Sequence, residues 1–324
     1  MSHSLTTGAI QWLLASSEPG VRLLARRDLL GERIESTDEV LDGPKVRALL
    51  EGQQPDGGFG AHPYRKWIGA HWRLVSLVEL GIPAGEPRAV RAAETVLDWL
   101  TGDEHRYAMP TIRGLARRHA SQEGNALAVC SRLGMATDAR VQLLAESLMA
   151  WQWPDGGWNC DRHEDAHRSS FHEALPAAWG LFEYSLAAGS ASAEAAARRA
   201  SELFLEHRLF RGLNTGDVIN REWLLLHYPP YWHYDILQAL LVLWRMGLAS
   251  DPRCADALDV LERRRRPDGR WQAGGYWWAS PGKSGSPEVV DWGRSAPNEM
   301  ITLNALRVLQ SAPVAWRGAE ERPT

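Results

Sequence analysis

Two kinds of apolar segment alternate along the chain. In the first kind, apolar residues recur at i, i+3, i+4 and i+7. Val141, Leu144, Ala145 and Leu148 are one such set, and Cys254, Ala257, Leu258 and Leu261 are another. Such a helix buries one stripe and shows the other to water. The second kind is apolar nearly all round. The run from Ile236 to Trp244 has almost no polar face, and 67–80, 169–186 and 297–310 behave alike. A helix apolar on every side is expected to be buried on every side.

The pattern predicts six inner helices, at about 19–30, 67–80, 121–133, 169–186, 233–246 and 297–310. Six outer ones precede them, at about 5–15, 44–52, 88–100, 138–150, 193–206 and 252–264. No strand-like alternation competes. Six inner helices ringed by six outer ones make an all-α fold, an (α/α)6 barrel over 1–312, followed by a polar tail at 313–324. An open solenoid is the alternative, because alternating helix pairs also build those.

A repeat runs beneath the pattern. QQPDGGFG from Gln53, QWPDGGWNC from Gln152 and RRPDGRWQ from Arg265 read alike, and their aspartates Asp56, Asp155 and Asp268 lie 99 and 113 residues apart. Each interval is two units of roughly 50 residues, within the range of repeat architectures. Weaker copies sit near Gly102–Arg113 and at RLFRGLNTG from Arg208. Pro-Asp-Gly turns break helices.

The connections are unequal. Inner-to-outer links are short and start with glycine, as at Leu80-Gly81, Leu133-Gly134 and Met246-Gly247, which is helix C-cap chemistry. Outer-to-inner links are long: 53–66, 101–120, 151–168, 207–232 and 265–296. In a barrel these links share one face, where binding is expected. The inner helices begin there, so their free N–H groups and partial positive charge point at the mouth of a hollow.

Composition narrows the function classes. The net charge of −4 gives nucleic acid no electrostatic purchase. Cys130, Cys160 and Cys254 are too few, and odd in number, for a disulfide framework, so a reducing, cytoplasmic location is expected. No run approaches the roughly 20 apolar residues of a membrane span, and the first residues do not read as a signal peptide. Tryptophan is unusually common: 16, against 7 tyrosines and 5 phenylalanines. Such a surplus serves as repeated structural wedges or lines a pocket.

The Gln…Asp-Gly-Gly-(Phe/Trp) turns, with Gln53 or Gln54 and Phe59 and with Gln152 and Trp158, resemble the QW-type repeats of squalene–hopene cyclases. The Arg265 copy keeps Gly269 and Trp271 without the leading glutamine. The resemblance covers roughly 40–310 and implies the α/α toroid shared by terpenoid cyclases and protein prenyltransferases. It departs in two ways. There is no D-x-D-D motif, and the length suits one toroid rather than two. In length the chain is nearer the prenyltransferase β subunit, whose toroid holds zinc with Asp, Cys and His. Ser169-Ser170-Phe171-His172 and Tyr231-Trp232-His233-Tyr234-Asp235 each open an inner helix, and Cys160-Asp161 lies upstream.

The resemblance therefore implies zinc, with Cys160, His172 and His233 as ligands and Asp235 or Asp161 supplying the carboxylate. The alternative is that Asp161 caps a turn, Cys160 packs and the histidines are solvated. The catalytic set is expected to be Asp235, Glu173, His172 and Glu123. Recessed first-turn carboxyls have raised pKa values and donate protons, although first-turn acids also simply complement the helix dipole. Substrate contacts are expected from Trp72, Arg73, Tyr231, Trp232, Tyr234, Trp277 and Glu299. The implied activity is acid- or zinc-assisted cyclisation, isomerisation or alkyl transfer on a small hydrophobic substrate, an isoprenoid or natural-product intermediate. Two alternatives compete: a non-catalytic ligand- or protein-binding toroid, and a glycan-processing barrel with a carboxylate pair about 5–9.5 Å apart.

Overall fold

Each of the twelve predicted segments holds a helix. A computed structural model of the chain describes residues 2–107 and 110–311, so the expected polar tail lies outside the described residues. In chain order the helices are α1 (Ser2–Leu14), α2 (Pro19–Leu30), α3 (Pro44–Leu50), α4 (Ala70–Glu79), α5 (Pro87–Thr101), α6 (Asp103–Tyr107), α7 (Ala120–Arg132), α8 (Ala139–Trp151), α9 (Phe171–Ala188), α10 (Ala191–Glu206), α11 (Ile236–Arg245), α12 (Ala255–Arg263) and α13 (Glu299–Gln310). The protein is all-α in class. No described helix is long and apolar enough to cross a membrane.

Burial follows the two apolar patterns. Of α4, only Arg73 is not buried, and α13 is buried from Met300 to Leu309. Helix α5 instead buries one stripe: Ala89, Ala92, Ala93, Val96, Leu97 and Leu100. Two short features were not expected, namely α6 and a hairpin of β1 (Thr111–Ile112) with β2 (Leu115–Ala116). Two residues per strand are too few to show alternation. Arg113 and Gly114, both at positive φ, make its turn.

Buried helices touch in sequence: α4 with α7, α7 with α9, α9 with α11, and α11 with α13, which also packs on α2 and α1. The α7–α9 crossing is very close. A Cβ on Gly180 would stand 2.2 Å from the carbonyl oxygen of Gly124, and one on Gly124 would stand 2.4 Å from the nitrogen of Ala177. Only glycine permits that approach.

The three Pro-Asp-Gly turns dock alike. Gln53 Nε2 donates to the Arg88 carbonyl (2.7 Å), and Gln152 Nε2 to the Ala196 carbonyl (2.9 Å), tying each turn to α5 or α10. Gly57, Gly156 and Gly269 sit at φ of 88°, 93° and 80°. A Cβ there would strike Arg91 of α5, Arg199 of α10 and Leu5 of α1 respectively. The third turn therefore docks on the first helix, where Arg265 also bonds Thr6 (3.1 Å). Trp158 and Trp271 are wedges, donating to the Leu148 and Leu261 carbonyls.

At the C-terminal ends of the buried helices lies a charge network. Glu79 of α4 accepts from Arg245 of α11 (2.6 Å) and Arg132 of α7 (3.1 Å). Arg307 of α13 pairs with Asp28 of α2 (2.8 Å). Burial pushes the Glu79 carboxyl up, but Arg245, Arg132 and Arg307 together hold it below its ordinary value. Removing one partner of a buried pair strands the others. Glu79→Gln is expected to lower the unfolding free energy by roughly 3–5 kcal/mol, read from urea titrations. Arg113→Ala, which breaks an exposed pair, should cost under about 1 kcal/mol.

Candidate functional site

His119, Cys160 and Glu173 come from three places in the chain. His119 precedes α7, Cys160 follows the turn after α8, and Glu173 lies in the first turn of α9. One ligand atom from each falls within 4.8 Å of the others, the one such group among the described residues. Backbone pairing brings the segments together: Arg118 N donates to the Asn159 carbonyl (3.1 Å). Glu173 is buried, with Oε2 accepting from Ser121 N (2.9 Å) and Oε1 lying 3.4 Å from His119 Nδ1. Hydrogen bonds to Cys160 and Glu173 push the His119 pKa up to about 10. Imidazole, thiolate and carboxylate are the donors that zinc prefers.

More polar groups adjoin this trio. The Tyr64 hydroxyl is bonded to Gln122 and lies in the field of Glu173, Cys160 and Glu123. Glu123 is buried; its Oε1 meets His105 Nε2 at 2.8 Å, and its Oε2 has no partner among the described residues. Short helix α6 is what places His105 there.

The expected metal set does not gather around Cys160. Asp161 is exposed and caps His163 N (2.9 Å). His172 Nδ1 accepts from Tyr234 N (2.9 Å), which leaves its hydrogen on Nε2. His233 is stacked between Trp232 (3.9 Å) and Trp277 (4.0 Å); burial, aided by His172 and Lys66, pushes it down to about 3. The two histidine rings are neighbours, 6.4 Å apart, with no third ligand among the described residues. His119 lies in the 101–120 link, outside the two motifs that open α9 and α11. The signal for it in the sequence is a histidine at the start of an inner helix, as with His172 in the first turn of α9 and His233 just ahead of α11.

The other expected residues are mostly committed to structure. Asp235 caps α11. Its Oδ1 accepts from Gln238 N (2.9 Å), and its Oδ2 accepts from His227 N (2.9 Å) and lies 3.2 Å from His227 Nδ1, so both oxygens are engaged in holding the helix start and its preceding link. Arg73 donates to the carbonyls of Ile68, Leu49 and Glu51 and lies over the Phe59 ring, which leaves no fork for an anion. Trp72 donates to the Tyr64 carbonyl (3.1 Å), and Tyr234 to that of Leu209 (2.5 Å). Glu299 lies 3.6 Å from Lys45. Tyr231 stacks on Trp67 (3.8 Å), and Trp277 on both His227 and His233. The two long aromatic loops thus pack on each other. A cavity of about 880 Å³ lies to one side, bounded by Phe171, His172, Leu203, Leu213 and Trp223.

One buried acid was not read from the sequence. Glu288 has one carboxyl oxygen on Val289 N (2.7 Å) and the other unpartnered among the described residues. Burial pushes its pKa up to about 7. It lies in the long 265–296 link, outside any helix pattern.

No protein-family model matches the chain, and no curated protein matches it either.

The Glu288 shift has a definite sign. A carboxyl raised from 4.5 to about 7 in the folded state favours folding when protonated. Its contribution is fully present below pH 4.5 and is lost as pH rises towards 7, by roughly 3 kcal/mol. Glu288→Gln should therefore gain stability relative to the native chain as pH goes from 5 to 8. Urea midpoints at the two pH values measure this, and parallel curves for the two proteins would contradict it.

Proposed function

We propose that the chain is an enzyme of the kind its turn motifs resemble, a single closed α/α toroid acting on a small hydrophobic substrate with help from zinc. Two contacts support closure: the third turn docks on α1 as the others dock on α5 and α10, and α13 packs on α2. The observation that carries the chemistry is the His119–Cys160–Glu173 group at the starts of α7 and α9.

The donor chemistry fits zinc. Three protein ligands of mixed type with a fourth position open to substrate are the usual composition of a catalytic site. Zinc bound there supplies Lewis acidity or lowers the pKa of a bound thiol or water. The chain's own groups do the rest. Ser121 N fixes the Glu173 carboxylate, as an outer-shell donor orients a ligand. The Tyr64 hydroxyl, which feels Glu173, Cys160 and Glu123, and the Glu123–His105 pair are the candidates for moving protons. Alkyl transfer or isomerisation on an isoprenoid-like substrate uses all of these roles.

A second reading, a ligand-holding toroid without catalysis, is favoured by the packing of the aromatic loops. Trp67, Tyr231 and Tyr228 are buried against other side chains rather than left facing open space.

Metal analysis separates the two. Protein purified without chelator should carry about one zinc per chain. Cys160→Ala and Glu173→Gln should lose most of it, while His233→Ala keeps it. A native chain with far less than one equivalent removes the metal reading.

A further inference from the structure

Arg117 carries a charge that the described residues leave unanswered. Its side chain is fully buried. Nη1 donates to the Ala166 carbonyl (2.9 Å), and the guanidinium lies 4.8 Å from the Trp153 ring. Nε and Nη2 have no acceptor among the described residues, and no carboxylate among them pairs with this arginine. Arg307, the other buried arginine among the described residues, has Asp28, and the partly buried Arg245 and Arg132 share Glu79. A buried charge without a counter-ion is expensive, and native proteins seldom keep one.

The orphaned pair is chemically specific. Nε–H and Nη2–H are parallel donors on one edge of the guanidinium, the edge that takes two oxygens of a carboxylate or phosphate together. The location is also specific. Arg117 bridges to Asn159, the neighbour of Cys160, and precedes His119 by two residues. The segment over it is exposed from Asp161 to Asp165. That segment is held to the hairpin by Arg113, which pairs with Asp165 (2.8 Å) and Glu164 (3.2 Å) at the surface. Exposed pairs of this kind are weak; the further ties to be loosened for entry are the Ala166 carbonyl on Arg117 and the Arg168 carbonyl on Asn159 Nδ2 (2.9 Å).

We propose that Arg117 anchors an oxyanion, a carboxylate or phosphate group of a small ligand. The group enters beneath the 161–168 segment and binds the Nε–Nη2 edge beside the His119–Cys160–Glu173 group. The inference needs only the guanidinium and stands whether or not zinc binds.

Thermal unfolding tests it with inorganic phosphate and sodium acetate, each against sodium chloride at matched ionic strength. The native chain should show a saturable Tm rise of about 3 °C or more with one or both anions. A response to phosphate alone or acetate alone identifies the group. Arg117→Met, which keeps the volume and removes the charge, should lose the response. Arg117→Lys, which keeps the charge without the fork, should need about tenfold more anion and serves if the Met variant does not fold. Cys160→Ala should respond like the native chain. No response in the native chain, an equal response in Arg117→Met, or loss of the response in Cys160→Ala with retention in Arg117→Met would each overturn the assignment.

Discussion

The pairing of Glu79 with Arg245 and Arg132 is the constraint on which the rest of the arrangement leans. It joins three helices far apart in sequence at one buried point. Every helix end gathered there brings partial negative charge from unpaired carbonyls. Arg132, Arg245 and Arg307 lie in the last turns of their helices and answer that charge, with Arg245 also over Trp179 and Arg307 over Trp244. Two carboxylates, Glu79 and Asp28, face these three arginines, and the carbonyls of the helix ends answer the remaining positive charge. Apolar side chains alone would hold these helices together without fixing their relative height, because the hydrophobic effect has no direction. A hydrogen-bonded charge pair does fix it.

At the other end, the starts of α7, α9 and α11 also come together, under the long links that precede them. The first-turn residues then meet across helices: Glu173 of α9 reaches Ser121 of α7, and Tyr234 ahead of α11 reaches His172 of α9. The close approach of α7 and α9 at Gly124 and Gly180 allows the first of these. Reactive groups collect where neighbouring helix starts are near enough to share side chains.

The all-α class and the helix set were legible because burial on all sides and burial on one side leave different periodicities, and most of the helices run for ten or more residues. The caps were legible for a similar reason: Gly81, Gly134 and Gly247 follow their helices at the same offset and sit at positive φ. The charge network was half legible. Glu79-Leu80-Gly81, Arg132-Leu133-Gly134 and Arg245-Met246-Gly247 place a charge at one register. The sequence marks that register but not which charges meet. Side-chain direction was not legible at all. Arg73 is the one residue of α4 turned away from the core, so it braces the preceding helix end instead of meeting a ligand. Arg117 and Glu288 lie in links with no period, where burial leaves no trace in the pattern.

Acids at helix starts meet two fates, and side-chain length with position decides which. Asp235 stands at the N-cap, where its short side chain stays local: Oδ1 accepts from Gln238 N of its own helix, and Oδ2 is taken by His227 of the preceding link. Glu173 and Glu123 stand inside the first turn with one more methylene each. Their carboxylates pass beyond their own helices, to Ser121 N and His119 in one case and His105 in the other. Only such exported carboxylates can take part in a site shared between helices. Asp235, expected in the catalytic set, is therefore held within its own helix start and the adjoining link, and the first-turn carboxylates that meet other segments are those of Glu173 and Glu123.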